Sequence, residues 1–286
     1  MREHRETVIN ALSHKPVAFV PRGELFIRSD FLDRYFGGVS GGFIGQLEAA
    51  ASGLGLSLVG IDLSGESSRS FLSRKAYQPL KDYFLTGATN GPVSRLIEAY
   101  GFRDAMLSLR KKPDLFREMA ARFLKEARDT VRMAVNNGFS AMAMADDIAG
   151  NNGLLFSSGH FAELILPVYR DYAAIVREQG LFPFIHSDGD MKAVIHLIAG
   201  AGYDCLHPVD AQARMDLAEL LETFGKHISF MGHIDLLAWS VAHISDEVHR
   251  AEEEFKHGGL ILGTTGSIPA DIPEEKLRAF YPLWEG

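Results

Sequence analysis

The segment FPFIHSDGD, residues 182–190, places a histidine and two carboxylates directly behind a run of apolar residues. In a β-strand alternate side chains share one face, so His186 and Asp188 would point to the same side. A histidine nitrogen and carboxylate oxygens could bind a divalent metal together, with Glu24 or His207 as a further ligand. Alternatively, His186 acts as a general acid or base that Asp188 orients. The H-x-D pair alone leaves both chemistries open.

Other polar residues follow further apolar runs, where strands would end. Asp146 and Asp147 come after FSAMAMA, and we expect one to face the site and the other to bind a backbone amide or an arginine. Glu24 stands between apolar neighbours in GELFI, and a buried carboxylate must be paired or neutral. We predict catalytic roles for His186, Asp188, Glu24 and Asp147, and substrate binding by Asn90, Asp146, His207, His233 and Thr265.

Eight apolar runs predict the strands that position these residues. They span residues 17–27, 56–62, 83–89, 139–145, 182–187, 203–209, 227–233 and 259–265. Most are continuous rather than alternating in polarity, as expected of parallel strands covered on both faces. With helical patterns between them, they predict a single α/β domain over residues 1–286, a (β/α)8 TIM barrel with an N-terminal helix. The candidate residues would then converge on one mouth, at the carboxyl ends of the strands.

The rival architecture is a doubly wound open sheet, which would more naturally carry a glycine-rich loop after its first strand, and PRGELFI is not one. The clearest predicted helix runs from Pro113 to Asn136. Two more are predicted to start at Ser245 and Asp271, where possible capping residues stand. A helix near residues 159–179 contains Pro167, so we expect it to be kinked or split there.

Composition and charge exclude several classes of partner. The chain is 47% hydrophobic and 23% charged, with a net charge of -8, which is typical of a globular protein. No basic run stands out, so nucleic acid and anionic membranes are not expected partners. No apolar segment approaches the roughly 20 residues that cross a bilayer, and the N-terminus lacks the apolar core of a signal peptide. We therefore expect a cytoplasmic protein.

Six motifs occur along the chain in an order that resembles one superfamily. They are ETVINALSHKPVAFVPRGELF, TGATNGPVSRLIEAYGFRDAMLSLRKKPDLFREM, MADDIAGNNGLLFSSGHFAELILPVYRDY, FIHSDGDMKAVIHLIAGAGYDCLHPV, FMGHID and GLILGTTGSIPADIPEEKL. Over nearly its whole length the chain resembles the uroporphyrinogen decarboxylase-like superfamily, and within it the corrinoid-dependent methyltransferase branch. The resemblance implies a (β/α)8 barrel, in agreement with the strand count.

The departures from the family's patterns divide the functional options. Decarboxylases of this superfamily carry an arginine-rich segment such as MRQAGR for the substrate's carboxylates, whereas PRGELFIRSD keeps only Arg22 and Arg28. Methyltransferases that act on thiols bind zinc through an H-x-C pair and a later cysteine. Here His186 is kept, Asp188 stands at the first cysteine, and Thr265 lies near the second. Without the two soft thiolate ligands, activation of a thiol by such a zinc is not expected.

The resemblance therefore favours the O-demethylase methyltransferases, which move a methyl group from a methoxy compound to the cobalt of a partner corrinoid protein. It implies a small methyl donor and a corrinoid carried by a separate protein, since the chain lacks the D-x-H-x-x-G pattern of a cobalamin-binding domain. The resemblance does not decide whether the chain binds a divalent metal such as zinc, or whether it forms oligomers. The alternative is a lyase that decarboxylates a tetrapyrrole or small carboxylic acid without a corrinoid. A third option is a barrel that binds a ligand without catalysis.

Overall fold

A computed structural model of the chain describes residues 2–65, 70, 72, 76–281 and 284. Eight parallel strands pair in sequence order around a nearly closed barrel. They are β1 (Gly23–Glu24), β2 (Leu58–Asp62), β3 (Phe84–Asn90), β4 (Ala141–Ala145), β5 (Phe182–His186), β6 (Cys205–Val209), β7 (Ser229–Ile234) and β8 (Leu260–Thr264). The seam between β8 and β1 is closed by a parallel bridge between Arg22 and Leu262. The predicted (β/α)8 barrel is confirmed.

The first strand is much shorter than the sequence predicted. Only Gly23 and Glu24 pair as a strand, whereas the apolar run covers residues 17–27. Pro21 interrupts that run, and a proline has no N–H to donate to a ladder. The other seven strands fall within the predicted runs or extend one residue beyond them.

Helices cover the outside of the barrel and its lower end. They are α1 (Arg2–Leu12), α2 (Ser29–Phe36), α3 (Gly42–Gly53), α4 (Pro92–Tyr100), α5 (Phe102–Lys111), α6 (Pro113–Asn136), α7 (Leu166–Glu178), α8 (Ile195–Gly200), α9 (Leu217–Phe224), α10 (Val241–Glu254) and α11 (Glu274–Phe280). A short antiparallel hairpin pairs Ala149–Gly150 with Gly153–Leu154 between β4 and α7. Among the described residues no helix is both long and apolar enough to cross a membrane.

Helix boundaries test the capping signals in the sequence. Helix α6 begins and ends at the predicted residues. Helix α10 starts at Val241, four residues before the predicted cap Ser245, because Ser240 accepts the hydrogen bond of the His243 amide instead. Helix α11 starts at Glu274, three residues after Asp271. The expected break near Pro167 is present: a π-helical turn over Phe161–Ile165 precedes α7.

Two apolar clusters determine which side chains reach the mouth. Inside the barrel, Phe184 of β5 and Cys205 of β6 pack with Val8 and Leu12 of α1, so that α1 closes the lower end. Ile185 lies between Phe184 and His186, and its side chain packs outward against the helices. Because strand side chains alternate, His186 follows Phe184 on the inner face, at the open end of the barrel.

Candidate active site

His186 faces two carboxylates across the end of β5. In the pairing of β4 with β5, Ala145 lies beside His186, so Asp147 and Asp188 both stand two residues further along. The Nε2 atom of His186 is 3.8 Å from Oδ1 of Asp147 and 3.9 Å from Oδ1 of Asp188. The Asp188 amide donates a hydrogen bond of 3.1 Å to Asp147 Oδ1. We call Asp147, His186 and Asp188 the mouth triad.

The other ring nitrogen of His186 contacts a second histidine. His186 Nδ1 lies 2.8 Å from Nδ1 of His207, which is its partner in the β5–β6 register. His207 Nε2 lies 3.3 Å from the carbonyl oxygen of Thr264. The ring of Phe26 meets both imidazoles edge-on, at centroid distances of 5.0 and 6.3 Å. The two histidines are therefore buried side by side under an aromatic cover.

Burial sets the charge of the mouth triad. It lowers the pKa of His186 to about 4, and the nearby Asp147 carboxylate offsets only part of that effect. The pKa of Asp188 rises to about 6, first through burial and then through the charges of Asp147 and Asp210. More than half of the Asp188 side chain is nevertheless exposed to the mouth. At neutral pH the imidazole of His186 is therefore uncharged, and Asp188 binds a proton more readily than an ordinary aspartate does.

The donor atoms of the mouth triad fit a divalent metal. Among the described residues, these three offer nitrogen and oxygen atoms that all lie within 4.8 Å of one another. Zinc lies about 2.0–2.2 Å from such ligands, so two ligands of one tetrahedral ion are roughly 3.4 Å apart. The distances of 3.8 and 3.9 Å from His186 to the carboxylates are longer than that, and small rotations of the exposed Asp147 and Asp188 side chains would bring them into range. One nitrogen and two oxygens suit zinc or a similar divalent ion.

Glu24, which we predicted as a metal ligand, lies outside the group of Asp147, His186 and Asp188 and forms hydrogen bonds with its neighbours. Its Oε1 accepts hydrogen bonds from the Tyr281 hydroxyl at 2.7 Å and the Thr264 amide at 3.1 Å. Its Oε2 lies 2.5 Å from Thr264 Oγ1, which is also 2.6 Å from the Gly266 carbonyl oxygen. Glu24 therefore joins β1 to β8 across the barrel seam, and Asp147 takes its expected place beside His186 and Asp188.

The contacts of the Thr264 hydroxyl are compatible with a proton on Glu24. The Thr264 hydroxyl has one proton and can donate to only one of its two close oxygens. If it donates to the Gly266 carbonyl, the Glu24 carboxyl must supply the proton in the other contact. Burial raises the pKa of Glu24 to about 7, although the hydrogen bonds from Thr264 and Tyr281 favour the charged form. A protonated Glu24 satisfies every one of these contacts.

The adjacent carboxylates Asp146 and Asp147 have different surroundings. Asp146 is buried and accepts hydrogen bonds from the amides of Val93 and Ser94 and from the Tyr169 hydroxyl. It therefore caps the N-terminus of α4 from another part of the chain, where the helix dipole favours a negative charge. Burial raises its pKa to about 7, although these three donors oppose the rise.

The remaining predicted residues have the following positions. Asn90 donates to Glu98 at 2.7 Å and accepts from the Ser64 hydroxyl at 3.2 Å. His233 has a positive φ of 92°, and its Nε2 lies 2.8 Å from Glu247 of α10. Its side chain is thus directed towards α10 and does not line the cavity described next. Thr265 is half-buried and does line that cavity.

A cavity of about 240 Å³ opens beside Asp188 at the mouth. Three carboxylates line it, Asp188, Asp210 and Asp235, and no lysine or arginine does so among the described residues. Its aliphatic wall is formed by Ile234, Leu236, Leu237, Ile268, Pro269 and Ile272. The cavity is therefore acidic on one side and apolar on the other.

A family model described as uroporphyrinogen decarboxylase (URO-D) matches residues 74–284. The chain belongs to the URO-D family. No curated protein sequence matches it. A solved methyltransferase from Methanosarcina mazei is similar, with a TM-score of 0.78, 15% sequence identity, and coverage of 99% of this chain and 98% of that chain.

Two further solved structures are similar to this URO-D family chain. The YdhT protein from Bacillus subtilis has a TM-score of 0.55 and 13% identity, with coverage of 91% of this chain and 85% of that chain. The β-mannanase from the blue mussel Mytilus edulis has a TM-score of 0.54 and 14% identity, with coverage of 94% and 92%. At such identities these similarities concern the barrel fold alone.

Two arginines of the described part of this URO-D family member, Arg22 and Arg28, already have acidic partners within the chain. Arg22 donates hydrogen bonds to the Phe280 carbonyl and to Glu252 of α10, so its guanidinium group is already engaged. Arg28 pairs with Asp30 on an exposed surface. The cavity at the mouth is acidic, so it would repel rather than hold a substrate with several carboxylates.

Sequence reasoning missed Asp147 as a partner of His186 and Asp188 in a metal set. Alternate residues of a strand share one face, so Asp147 lies on the same side as Ala145, just as Asp188 lies on the same side as His186. Because Ala145 pairs with His186 in the parallel register of β4 and β5, Asp147 and Asp188 come to lie next to each other. That signal was present in the sequence. The cavity-lining residue Gln212, by contrast, lies in a short 3-10 helix over Ala211–Ala213, and no periodicity in the sequence indicates its position.

Proposed function

We propose that this chain is a methyltransferase subunit that moves a methyl group from a small methoxylated compound to the cobalt of a separate corrinoid protein. The observation that carries the proposal is the mouth triad beside an open cavity. An ether oxygen is a poor leaving group unless it is protonated or bound to a Lewis acid as the bond to carbon breaks. The mouth triad can meet that need in either way.

The transfer breaks the bond between the methyl carbon and the ether oxygen, and the electron pair of that bond stays on the oxygen. The electron pair for the new bond to the methyl carbon would come from a reduced corrinoid, held by a carrier protein that docks at the mouth. The oxygen then takes one proton and leaves as a hydroxyl group. Asp188, with its pKa raised to about 6, is the residue of the triad best suited to hold that proton.

A metal ion would divide these roles differently. When bound by Asp147, His186 and Asp188, a divalent ion supplies a Lewis acid that stabilises negative charge on the leaving oxygen. His186 would be a neutral ligand, since burial lowers its pKa to about 4. The carboxylates of Asp147 and Asp188 would balance the charge of the ion. Elemental analysis of protein purified without added metal, compared with His186→Ala, distinguishes the two forms of the proposal.

The shape and charge of the cavity restrict the methyl donor. Its apolar wall, including Leu236 and Ile268, suits the carbon skeleton of a small donor. Its carboxylates disfavour donors that are themselves anionic. We therefore expect neutral methoxy compounds to react faster than their carboxylated counterparts.

The second candidate is a decarboxylase of a tetrapyrrole or small carboxylic acid, acting without a corrinoid. The description of the matching family model favours it. The acidic cavity and the pairing of Arg22 with Glu252 argue against it, because among the described residues neither offers a substrate carboxylate a cationic partner.

The two candidates make opposite predictions in one assay. The purified chain is mixed with a reduced corrinoid protein and a panel of methoxy compounds, in neutral and carboxylated pairs, and the demethylated product is measured by mass spectrometry. A parallel sample contains uroporphyrinogen and is analysed for carbon dioxide. Demethylation that requires both proteins supports the proposal. Carbon dioxide release without demethylation of any donor, while a related methyltransferase works beside it, would reject it.

A further inference from the structure

The contact between His186 and His207 restricts where their ring protons lie. Their Nδ1 atoms are 2.8 Å apart, so one Nδ1 must carry hydrogen and the other must accept it. His207 Nε2 lies 3.3 Å from the Thr264 carbonyl oxygen, which can only accept. His207 Nε2 therefore carries hydrogen.

These two contacts together fix both tautomers when His207 is neutral. A neutral imidazole has one N–H, so His207 Nδ1 is the acceptor and His186 Nδ1 is the donor. The site under Phe26 disfavours a charged His207, because its ring is buried and its polar contacts are an imidazole and a carbonyl oxygen, neither of which carries a negative charge. His186 Nε2 then has no hydrogen and presents a lone pair to the mouth.

That lone pair faces the carboxylates of Asp147 and Asp188 at 3.8 and 3.9 Å. Both distances are too long for hydrogen bonds, and no proton lies on Nε2 to attract the carboxylates. Three groups that donate electron pairs thus converge on one point. A divalent cation at that point would be attracted by all three.

We propose that His207 is a positioning residue that holds His186 in its Nδ1–H tautomer and thereby directs the Nε2 lone pair to a divalent cation shared with Asp147 and Asp188. The inference rests on the metal-bound form of the proposed function. It is typical of metal sites that a ligating histidine donates its other ring N–H to a fixed acceptor. Here the acceptor is a second imidazole.

A chain of hydrogen bonds connects His207 to the residues at the seam between β1 and β8. The Thr264 residue whose carbonyl binds His207 is held at its amide and its hydroxyl by Glu24. Glu24 is held in turn by the Tyr281 hydroxyl at 2.7 Å. The orientation of the His207 ring therefore depends on side chains that do not line the cavity.

Nuclear magnetic resonance of protein labelled with ¹⁵N in its histidine rings tests the tautomer directly. The metal-free wild-type protein is compared with His186→Asn, which assigns the His186 signals among the 11 histidines. We expect Nδ1 of His186 to carry hydrogen and Nε2 to lack it. Hydrogen on Nε2 of His186 in the folded wild-type protein would overturn the proposal, and this measurement needs no folded variant of His207.

Zinc affinity, measured by competition with a chelator, tests the consequence. His207→Phe removes the acceptor and should weaken zinc binding by roughly 10- to 100-fold, as the loss of such a partner does in other metal sites. His207→Asn offers a side-chain oxygen as acceptor and should recover much of that loss. The matched control His233→Phe removes another buried histidine that does not contact His186, and should leave zinc affinity unchanged.

The outcomes separate this inference from the proposed function. Wild-type protein that binds no zinc, or a folded His207→Phe that binds it with wild-type affinity, would overturn the role of His207. Zinc binding that depends on His207, without methyl transfer to any corrinoid protein, would uphold the role and reject the proposed function.

Discussion

Asp147 accepts the backbone N–H of Asp188 at 3.1 Å, which joins the ends of β4 and β5 and brings the two carboxylates to the same imidazole. The register of two neighbouring strands, rather than a local motif, thus assembles the mouth triad. A carboxylate on each side of His186 is available to a proton or a cation without any rearrangement of the backbone.

Asp147→Asn should weaken metal binding. The substitution keeps an oxygen that can accept the Asp188 amide but removes a negative charge from the mouth triad. We expect zinc affinity to fall by more than about 10-fold. Losing only a hydrogen-bond partner of a metal ligand already costs about 10-fold or more, and Asp147 is itself a proposed ligand. Asp235→Asn is the matched control, because it removes a charge from the same cavity outside the mouth triad. Equal losses in both variants would contradict a specific role for Asp147.

Asp188→Asn should reduce turnover far more than it reduces thermal stability. The Asp188 side chain is 61% exposed, so its removal leaves no cavity, and the substitution also relieves repulsion from Asp147. Loss of a group that supplies a proton or holds a cation typically slows catalysis by about 10²- to 10⁴-fold. Product formation and the melting temperature are measured on the same preparation. A large fall in melting temperature with retained turnover would mark Asp188 as structural.

Glu24→Gln should be tolerated near pH 4.5, where the folded wild type carries the proton on Glu24. A glutamine amide can accept from Tyr281 and from the Thr264 amide and donate to Thr264 Oγ1, which reproduces the contacts of a protonated Glu24. We expect the free energy of unfolding to change by less than about 1 kcal/mol. Glu24→Leu is the control: it leaves Tyr281 and Thr264 without an acceptor and should cost roughly 2 kcal/mol or more. A Glu24→Gln variant as unstable as Glu24→Leu would indicate an ionised Glu24.

The same residue gives stability a defined pH dependence. Burial raises the pKa of Glu24 from 4.5 to about 7, so between these values the folded chain retains a proton that the unfolded chain has lost. The stabilisation is complete below pH 4.5 and is lost as pH rises towards 7. The difference in unfolding free energy between wild type and Glu24→Gln should therefore shift by about 3 kcal/mol against the wild type over that range. A flat difference would contradict the raised pKa.

Gly189→Ala should disturb the hairpin that follows β4. Gly189 has a φ of 94°, and a Cβ there would lie 2.7 Å from the backbone of Ala149 and Gly150. We expect a loss of about 1–3 kcal/mol in the free energy of unfolding. Gly159→Ala is the control, since Gly159 lies in the short helix Ser158–His160 with open space around it. That substitution should be neutral or slightly stabilising. Similar losses in both variants would contradict the close approach at Gly189.

The barrel was predictable from sequence because its parallel strands are covered on both faces and appear as continuous apolar runs. The short length of the first strand was not predictable from hydrophobicity, because Pro21 breaks the strand while the run around it stays apolar. His186 and Asp188 were identified because they directly follow such a run. The proton on Glu24 and the His186–His207 contact depend on distances between residues far apart in the chain. No spacing in the sequence specifies those distances.

The most direct test of the central claim is a single-turnover reaction of a neutral methoxy donor with the chain and a reduced corrinoid protein. Mass spectrometry measures the demethylated product for the wild type, Asp147→Asn and His186→Ala. We predict stoichiometric product with the wild type and a rate at least about 100-fold lower with either variant. Product formed at the same rate by all three proteins, or by none of them with any donor of the panel, would contradict a methyltransferase that works through the mouth triad.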